Sequence, residues 1–343
     1  MKKTWHAICV VLMALLVITG CQGTADKEES PSAETKLKIG FSADSFVIER
    51  WIRDRDVFVS TAQELGAEVN VQNASGDVQE QISQIEYFIQ KKMQVIVVVP
   101  IDSKALTSVM KKAKDMGIKT ICYDRLVEDA NADLYISFDN AQVGRLMAQG
   151  LIDSNPNGGK IFMIQGPVSD HNVALVKQGF LEEIATSKLS VAYNANCEEW
   201  YAEHAYTYAM EGLEAHPDVV GIMSGNDDLA GQVFRALSLN QLAGKVNFVG
   251  QDSDLAACQR IVEGTQTVTV YKSVDELARE AAEYAVKLAK GEDIGISEMI
   301  DDGSYDIPYR KLEPVAVNSK NIDEIIIGSG FHAKEDVYLN ISQ

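Results

Sequence analysis

The chain has 343 residues, of which 46% are hydrophobic and 24% are charged, and its formal net charge is −19 at pH 7. A negative balance of this size disfavours nucleic acid and anionic lipid surfaces as partners, so a neutral or cationic ligand is the simpler expectation. Once the N-terminal segment is set aside, about 305 residues remain, a length at which one hydrophobic core splits into two, and we expect two lobes.

Residues 1–20 have the pattern of an export signal. Two lysines precede the apolar run Ile8–Ile18, which is too short to span a bilayer, and Ile18-Thr19-Gly20-Cys21 follows. This tetrapeptide resembles a bacterial lipobox, which implies lipidation of Cys21 and an extracytoplasmic protein that is lipid-anchored to the cell membrane. The alternative is an ordinary signal peptide with an incidental cysteine. Residues 21–36 are predicted to be a flexible tether.

Short apolar, β-branched runs alternate with helix-like patterns along the rest of the chain. The predicted strands are Leu37–Ala43, Val95–Val99, Ile118–Tyr123, Lys160–Gly166, Leu189–Tyr193, Val219–Ser224, Val246–Gly250 and Val268–Tyr271. The predicted helices are Glu49–Leu65, Glu80–Lys91, Lys104–Met116, Ala141–Ile152, Val173–Ala185, Ala202–Ala215, Leu229–Asn240, Leu255–Glu263 and Val274–Lys290. Strands interleaved with helices in this way indicate βαβ units and parallel sheets.

The two halves of the chain repeat one plan. Strand, helix, strand, helix runs from Leu37 to about Asn140, and again from Lys160 to about Tyr271. This repeat predicts an α/β fold with two doubly wound parallel-sheet lobes joined by a multi-strand hinge. We assign residues 37–140 and 273–310 to an N-terminal lobe, and residues 141–272 and 311–343 to a C-terminal lobe.

Polar, charged and aromatic side chains follow seven of the predicted strands. Ligands of open α/β sheets bind outside the carboxyl ends of the strands, where the loops converge. The candidate ligand-binding residues at these positions are Arg50, Trp51, Asp124, Arg125, Asp170, Asn172, Trp200, Asn226, Asp252 and Lys272. This mixture of donors and acceptors suits a ligand with many hydroxyls, and the indoles of the two tryptophans suit the apolar faces of a pyranose ring.

Simpler interpretations remain open for individual residues. Asp124 and Arg125 could form a surface ion pair of little energetic value. Asn226 and Asp227 could cap the helix that follows them, and one aspartate of Asp252-Ser253-Asp254 could cap the next helix. Either tryptophan could belong to ordinary core packing, and His171 could be a residue of the site's rim.

The sequence predicts neither an enzyme nor a metal or cofactor site. It contains no nucleotide-binding, hydrolase or metalloprotease motif, and no two histidines stand at ligand spacing. An enzyme that acts on the sugar through Asp124 and Asp252 is disfavoured, because the candidate site offers no evident nucleophile. We expect Cys122, Cys197 and Cys258 to be buried and reduced, with one disulfide among them as the weaker alternative.

Several stretches resemble the type I periplasmic binding proteins of sugar transporters. They are Ile39-Gly40-Phe41, Glu49-Arg50-Trp51, Asp54-Arg55-Asp56, Tyr123-Asp124-Arg125, Ser137-Phe138-Asp139-Asn140, Gly144, Gly225-Asn226-Asp227, the run Gly250–Leu255, the run Thr265–Lys272 and Gly330-Phe331-His332. The later stretches are most similar to the members of the family that bind D-xylose. The resemblance implies that Trp51 and Trp200 sandwich the sugar and that the other eight candidates bind its hydroxyls. The chain departs from the family at His171, where asparagine is usual, and in the acidic stretch before Trp200.

The resemblance also implies a function. The chain would be a lipoprotein that captures a monosaccharide, D-xylose or a related pentose, by closure of its lobes and delivers it to an ABC permease. The alternative is a sensor that presents the bound sugar to the ectodomain of a membrane histidine kinase or to a chemoreceptor. Both functions need a closed state with its own surface, so the binding site does not discriminate between them.

Overall fold

The computed structural model describes residues 36–341. The predicted export signal, the predicted lipidation site Cys21 and all of the predicted tether except Lys36 lie outside the described residues. No helix within residues 36–341 is long and apolar enough to cross a membrane.

Ten α-helices are present between residues 36 and 341. They are α1 Arg50–Glu64, α2 Val78–Gln90, α3 Thr107–Asp115, α4 Asn140–Ser154, α5 His171–Ile184, α6 Ala202–Ala215, α7 Asp227–Leu239, α8 Leu255–Val262, α9 Val274–Lys290 and α10 Lys334–Val337. The nine predicted helices correspond to α1 through α9, with ends that differ by at most three residues. A single 3-10 turn, Glu198–Trp200, precedes α6.

The first sheet has seven strands. They are β1 Leu37–Ala43, β2 Ala67–Asn73, β3 Val95–Val98, β4 Lys119–Tyr123, β5 Leu134–Phe138, β11 Met299–Asp301 and β12 Asp306–Leu312. Their order is β11-β12-β5-β4-β3-β1-β2, and only the pair β11 and β12 is antiparallel. Every residue of the central strand β3 is buried, as expected where helices cover both faces of a parallel sheet.

The second sheet has six strands. They are β6 Gly159–Gln165, β7 Leu189–Asn196, β8 Val219–Ser224, β9 Asn247–Gln251, β10 Val268–Tyr271 and β13 Val315–Val317. Their order is β13-β10-β9-β8-β6-β7, with β13 antiparallel to β10. The predicted fold class, two doubly wound and mostly parallel sheets, is confirmed.

The chain passes between the two sheets at three points. We call the first sheet with α1, α2, α3 and α9 the first lobe, because α9 packs in the same hydrophobic core as β1 and α1. The second sheet with α4 through α8 forms the second lobe. The crossings lie between β5 and α4, between β10 and α9, and between β12 and β13. Three short crossings join the two lobes, the arrangement that a multi-strand hinge requires. The residue boundaries assigned to the lobes from the sequence stay a prediction.

Candidate functional site

A cavity is lined by residues of both lobes, and its empty space, including the part open to solvent, is about 510 Å³. All ten candidate residues line it, namely Arg50, Trp51, Asp124, Arg125, Asp170, Asn172, Trp200, Asn226, Asp252 and Lys272. Nine further residues complete the lining: Ile48, Asn140, Gln165, Gly166, Val173, Val176, Met223, Gly225 and Gln251. The structure therefore brings the candidates from seven strand ends to one place.

Two acidic residues of the cavity lining have a left-handed backbone conformation. Asp124 has a φ of 63° and Asp252 a φ of 96°, values that L-residues other than glycine adopt rarely. Each is fixed by a hydrogen bond from its own backbone N–H to a neighbouring strand, Asp124 to the carbonyl of Ile136 at 2.8 Å and Asp252 to that of Val270 at 2.9 Å. The sheet thus holds both aspartates in a backbone conformation that is energetically unfavourable.

The guanidinium of Arg50 is the centre of the first group of charges. Its Nη2 lies 2.9 Å from Oδ2 of Asp124, and its Nη1 lies 3.9 Å from Oδ1 of Asp252. Lys272, at the end of β10, lies 2.7 Å from the same Asp252 oxygen. Arg50 belongs to the first lobe and Asp252 to the second, so these charges face each other across the cavity.

The guanidinium of Arg125 joins the lobes more directly. Its Nη1 donates to Asp44 of the first lobe at 2.6 Å, and its Nε lies 2.8 Å from Oδ2 of Asp170 in the second lobe. The same Asp170 oxygen accepts a hydrogen bond from Nε1 of Trp200 at 3.2 Å. Asp44 was not among the candidates. Since it follows β1 directly, a strand-end rule applied to every acidic residue would have included it.

The charges of the ten candidates balance. Arg50, Arg125 and Lys272 are cationic, and Asp124, Asp170 and Asp252 are anionic when ionised. Burial alone would raise the pKa of Asp124, but the positive charges of Arg50, Lys272 and Arg125 hold it below its usual value. The pKa of Asp170 is raised, because burial outweighs the attraction of Arg125. A balanced cavity of this kind suits an uncharged ligand with hydroxyl groups.

The indole of Trp200 is fixed within the second lobe. Its backbone φ is 59°, at the end of the 3-10 turn, and a Cβ atom added to Gly166 would stand only 2.3 Å from the indole ring. Gly166 therefore lets the ring lie directly over the backbone that follows β6. The indole of Trp51 is buried in the first lobe, and the guanidinium carbon of Arg50 lies 4.3 Å from its ring centroid.

Three buried polar atoms of the cavity lining have neither a hydrogen-bond partner nor an ion-pair partner among residues 36–341. They are Nε1 of Trp51, Oε1 of Gln165 and Oε1 of Gln251. A buried polar atom without a partner costs about 1–3 kcal/mol. Water or a ligand hydroxyl that reached these atoms would remove that cost.

The simpler interpretations of single residues have different outcomes. Asp124 and Arg125 are each only 4% exposed, so the interpretation of these two residues as a surface ion pair was wrong. Asn226 does cap α7, because its Oδ1 accepts from the N–H of Leu229 at 2.9 Å, and its Nδ2 remains for a ligand. Asp254 occupies the N-cap position of α8 but makes no side-chain capping bond, so that prediction was wrong.

The remaining predicted features are placed as follows. His171 does not line the cavity; its Nδ1 lies 3.5 Å from Oε1 of Glu128. Cys122, Cys197 and Cys258 are buried and unpaired, as the preferred interpretation predicts. No group of three or more histidine, cysteine or acidic side chains within the described chain is arranged to hold a metal ion.

A buried carboxylate behind the cavity makes stability depend on pH. Asp227 accepts hydrogen bonds from Gln266 at 2.8 Å and from Thr269 at 2.5 Å, and burial raises its pKa to about 7. Between about pH 4, where an unfolded aspartate titrates, and about pH 7, the folded protein holds the extra proton. The contribution of Asp227 to stability is therefore complete below about pH 4 and is lost as the pH rises through about 7.

Asp227→Asn should remove this contribution. We expect the fall in melting temperature between pH 5 and pH 8 to be smaller in the variant than in the wild type. Thermal unfolding by circular dichroism at the two pH values measures the difference. Asp115→Asn is the control, since Asp115 is exposed at the end of α3. An equal pH dependence in Asp227→Asn and the wild type would contradict the prediction.

The chain is similar to known proteins along most of its length. The profile of a family described as periplasmic binding protein domain matches residues 39–293. The D-xylose-binding periplasmic protein of Haemophilus influenzae is 43% identical over 315 residues, covering 90% of this chain and 95% of that protein. The protein of the same description from Escherichia coli is 40% identical over 307 residues, with coverages of 88% and 93%. A solved carbohydrate transporter solute binding protein from Chloroflexus aurantiacus, in complex with D-glucose, has a TM-score of 0.81 at 25% identity, covering 88% of this chain and 98% of that one.

Proposed function

The chain belongs to the periplasmic binding protein family, and we propose that it binds D-xylose outside the cytoplasm and delivers the sugar to an ABC importer. The observation that carries the proposal is the cavity, which combines three cations, three carboxylates, five amides and two indoles from both lobes. The names of the two relatives described above support the choice of sugar.

The contacts across the cavity suit capture by lobe closure. Arg125 pairs with Asp170, and Nδ2 of Asn172 donates to the carbonyl oxygen of Asp124 at 3.0 Å, so both contacts join one lobe to the other. A hydroxyl-rich ligand would add further hydrogen bonds between the same groups. Each hydrogen bond to a charged group contributes about 1.5–3 kcal/mol, and a few of them give about micromolar affinity.

Isothermal titration calorimetry tests the proposal directly. D-xylose should bind with a Kd of about 1 μM, the affinity that about −8 kcal/mol provides. D-glucose, D-ribose and L-arabinose serve as the comparison, and D-xylose should bind most tightly. An absence of heat with all four sugars would overturn the function.

Delivery to an importer needs a test in cells. Deletion of the gene should abolish high-affinity uptake of labelled D-xylose, and its return on a plasmid should restore uptake. Unchanged uptake with a lost transcriptional response to xylose would instead favour presentation of the sugar to a sensor kinase or chemoreceptor.

The lipid anchor is a separate part of the proposal and lies outside the described residues. It is supported by the sequence Ile18-Thr19-Gly20-Cys21 after an apolar run. Cys21→Ser should move the protein from the membrane fraction to the soluble fraction, because the acylated side chain is lost. Cys122→Ser is the control, since Cys122 lies buried in β4 and has no role in anchoring. A membrane-bound Cys21→Ser protein would rule out the anchor.

Trp200→Ala should weaken D-xylose binding by about 1–3 kcal/mol, a loss typical of an aromatic contact in a desolvated site. Calorimetry gives the affinity, and thermal unfolding shows that the variant is folded. Tyr201→Ala is a matched control, because Tyr201 is the adjacent aromatic residue, is 49% exposed and does not line the cavity. Equal affinities of Trp200→Ala and the wild type would show that the indole only packs.

A further inference from the structure

A buried carboxylate outside the cavity holds Arg50 from behind. Asp54 lies one turn after Arg50 in α1, and the two residues are only 1% and 4% exposed. Oδ2 of Asp54 accepts from Nε of Arg50 at 3.3 Å, and Oδ1 accepts from Nη2 at 2.9 Å. The carboxylate therefore binds one edge of the guanidinium through both of its oxygens, and this geometry fixes the plane of the guanidinium.

Asp54 is also bonded to the first sheet. The hydroxyl of Tyr123, the last residue of β4, donates to Oδ1 of Asp54 at 2.5 Å. The ring of Tyr123 is fully buried and packs edge-on against Phe41 of β1. Asp54 thus bonds both to Arg50 on its own helix and to Tyr123 of β4, so it ties the position of Arg50 to the first sheet.

This arrangement determines which nitrogen of Arg50 is left for a ligand. Nε and Nη2 are used by Asp54, and Nη2 also lies 2.9 Å from Asp124. Nη1 makes no hydrogen bond among residues 36–341, and its nearest carboxylate oxygen, on Asp252, is 3.9 Å away. The free N–H groups of Arg50 are those on Nη1.

We propose that Asp54 is a positioning residue for sugar binding, which orients Arg50 so that Nη1 donates to a hydroxyl of the bound sugar. The proposal rests on the proposed function, because it names the residue that prepares the same site. Asp54 does not line the cavity and does not touch the ligand; it acts only through Arg50. The positive charge of Arg50 in turn stabilises the negative charge of Asp54, because burial of that charge without a partner would be costly.

Asp54→Asn is the first test, because asparagine has the same shape but loses the charge and one of the two acceptors. We expect the Kd for D-xylose to rise about ten- to a hundredfold. Asp56→Asn is the matched control, since Asp56 lies on the same helix, is exposed and pairs with Arg55. Asp56→Asn should leave the Kd unchanged, and an unchanged Kd in Asp54→Asn would overturn the proposal.

A double-mutant cycle with Arg50→Lys separates positioning from general support of the fold. If Asp54 acts through the guanidinium, adding Asp54→Asn to Arg50→Lys should raise the Kd by no more than about twofold. Losses that multiply in the double variant would show that Asp54 acts independently of Arg50 and would overturn the proposal.

Two further measurements distinguish failure of this proposal from misfolding of Asp54→Asn and from failure of the proposed function. Tyr123→Phe removes one hydrogen bond from Asp54 and keeps its charge, so it should raise the Kd about two- to fivefold even if Asp54→Asn does not fold. An unchanged Kd in Tyr123→Phe would then overturn the proposal. Failure of the wild-type protein to bind any of the four sugars would instead refute the proposed function.

Discussion

Replacement of Arg125 by methionine is expected to weaken D-xylose binding by about 2–5 kcal/mol, the range for loss of one member of a buried charge pair. Arg125 is the cation between Asp44 of the first lobe and Asp170 of the second, at 2.6 Å and 2.8 Å. Without it, the carboxylates of Asp44 and Asp170 would face each other with no cation between them. Asp170 would also lose the partner that helps it to hold the indole of Trp200.

Calorimetry with D-xylose measures the effect, and Arg310→Met is the matched control. Arg310 makes a bidentate pair with Glu280 at 2.6 Å and 2.7 Å, but this pair is partly exposed and lies away from the cavity. Arg310→Met should therefore leave the Kd unchanged. If Arg125→Met binds D-xylose as tightly as the wild type, Arg125 has no part in binding.

The candidate residues could be predicted because parallel sheets place their functional groups at one edge. Each candidate follows or nearly follows a strand whose apolar, β-branched run is visible in the sequence. Asp124, at the end of β4, and Asp252, after β9, are 128 positions apart, yet both line one cavity. The rule that joins them concerns the topology of the fold, so no local sequence motif was needed.

Two strands that were not predicted from the sequence, β2 and β12, have weak sequence patterns for physical reasons. β2 has the sequence Ala-Glu-Val-Asn-Val-Gln-Asn and is an edge strand, so only its first residue is fully buried. β12 contains Pro308 and charged side chains, although it pairs with β5 inside the first sheet. Both strands are fixed by their neighbours, and contacts between distant segments override local propensity.

The supporting residues of the site escaped prediction for a related reason. Asp54 and Tyr123 are 69 positions apart and meet only because α1 packs against the first sheet. Neither follows the strand-end pattern as a ligand group, since Tyr123 is the last residue within β4 and Asp54 lies inside a helix. Here the sequence pattern located groups that line the cavity, whereas the position of the groups that support them depends on helix packing.

A substitution at the contact between α4 and α5 is expected to have the largest effect on stability. Gly179 of α5 lies against the backbone of α4, and a Cβ atom there would stand 1.9 Å from the carbonyl oxygen of Ala141. Reciprocally, a Cβ atom on Gly144 of α4 would stand 2.0 Å from the carbonyl oxygen of Val176. Each helix thus needs a glycine where it touches the backbone of the other, and neither backbone atom can move away without separating the helices.

Gly179→Ala should therefore lower the free energy of unfolding by about 3 kcal/mol, at the upper end of the range for overpacked cores. Because α5 begins beside Asp170 and carries Asn172, displacement of the helix should also weaken D-xylose binding. Gly231→Ala in α7 is the control of opposite sign, because the nearest atom to its added Cβ lies 3.8 Å away. That variant should gain about 0.5–1 kcal/mol, the usual benefit of alanine over glycine in a helix. Urea denaturation measures both changes, and equal stabilities of Gly179→Ala and the wild type would show that the helices are not in backbone contact.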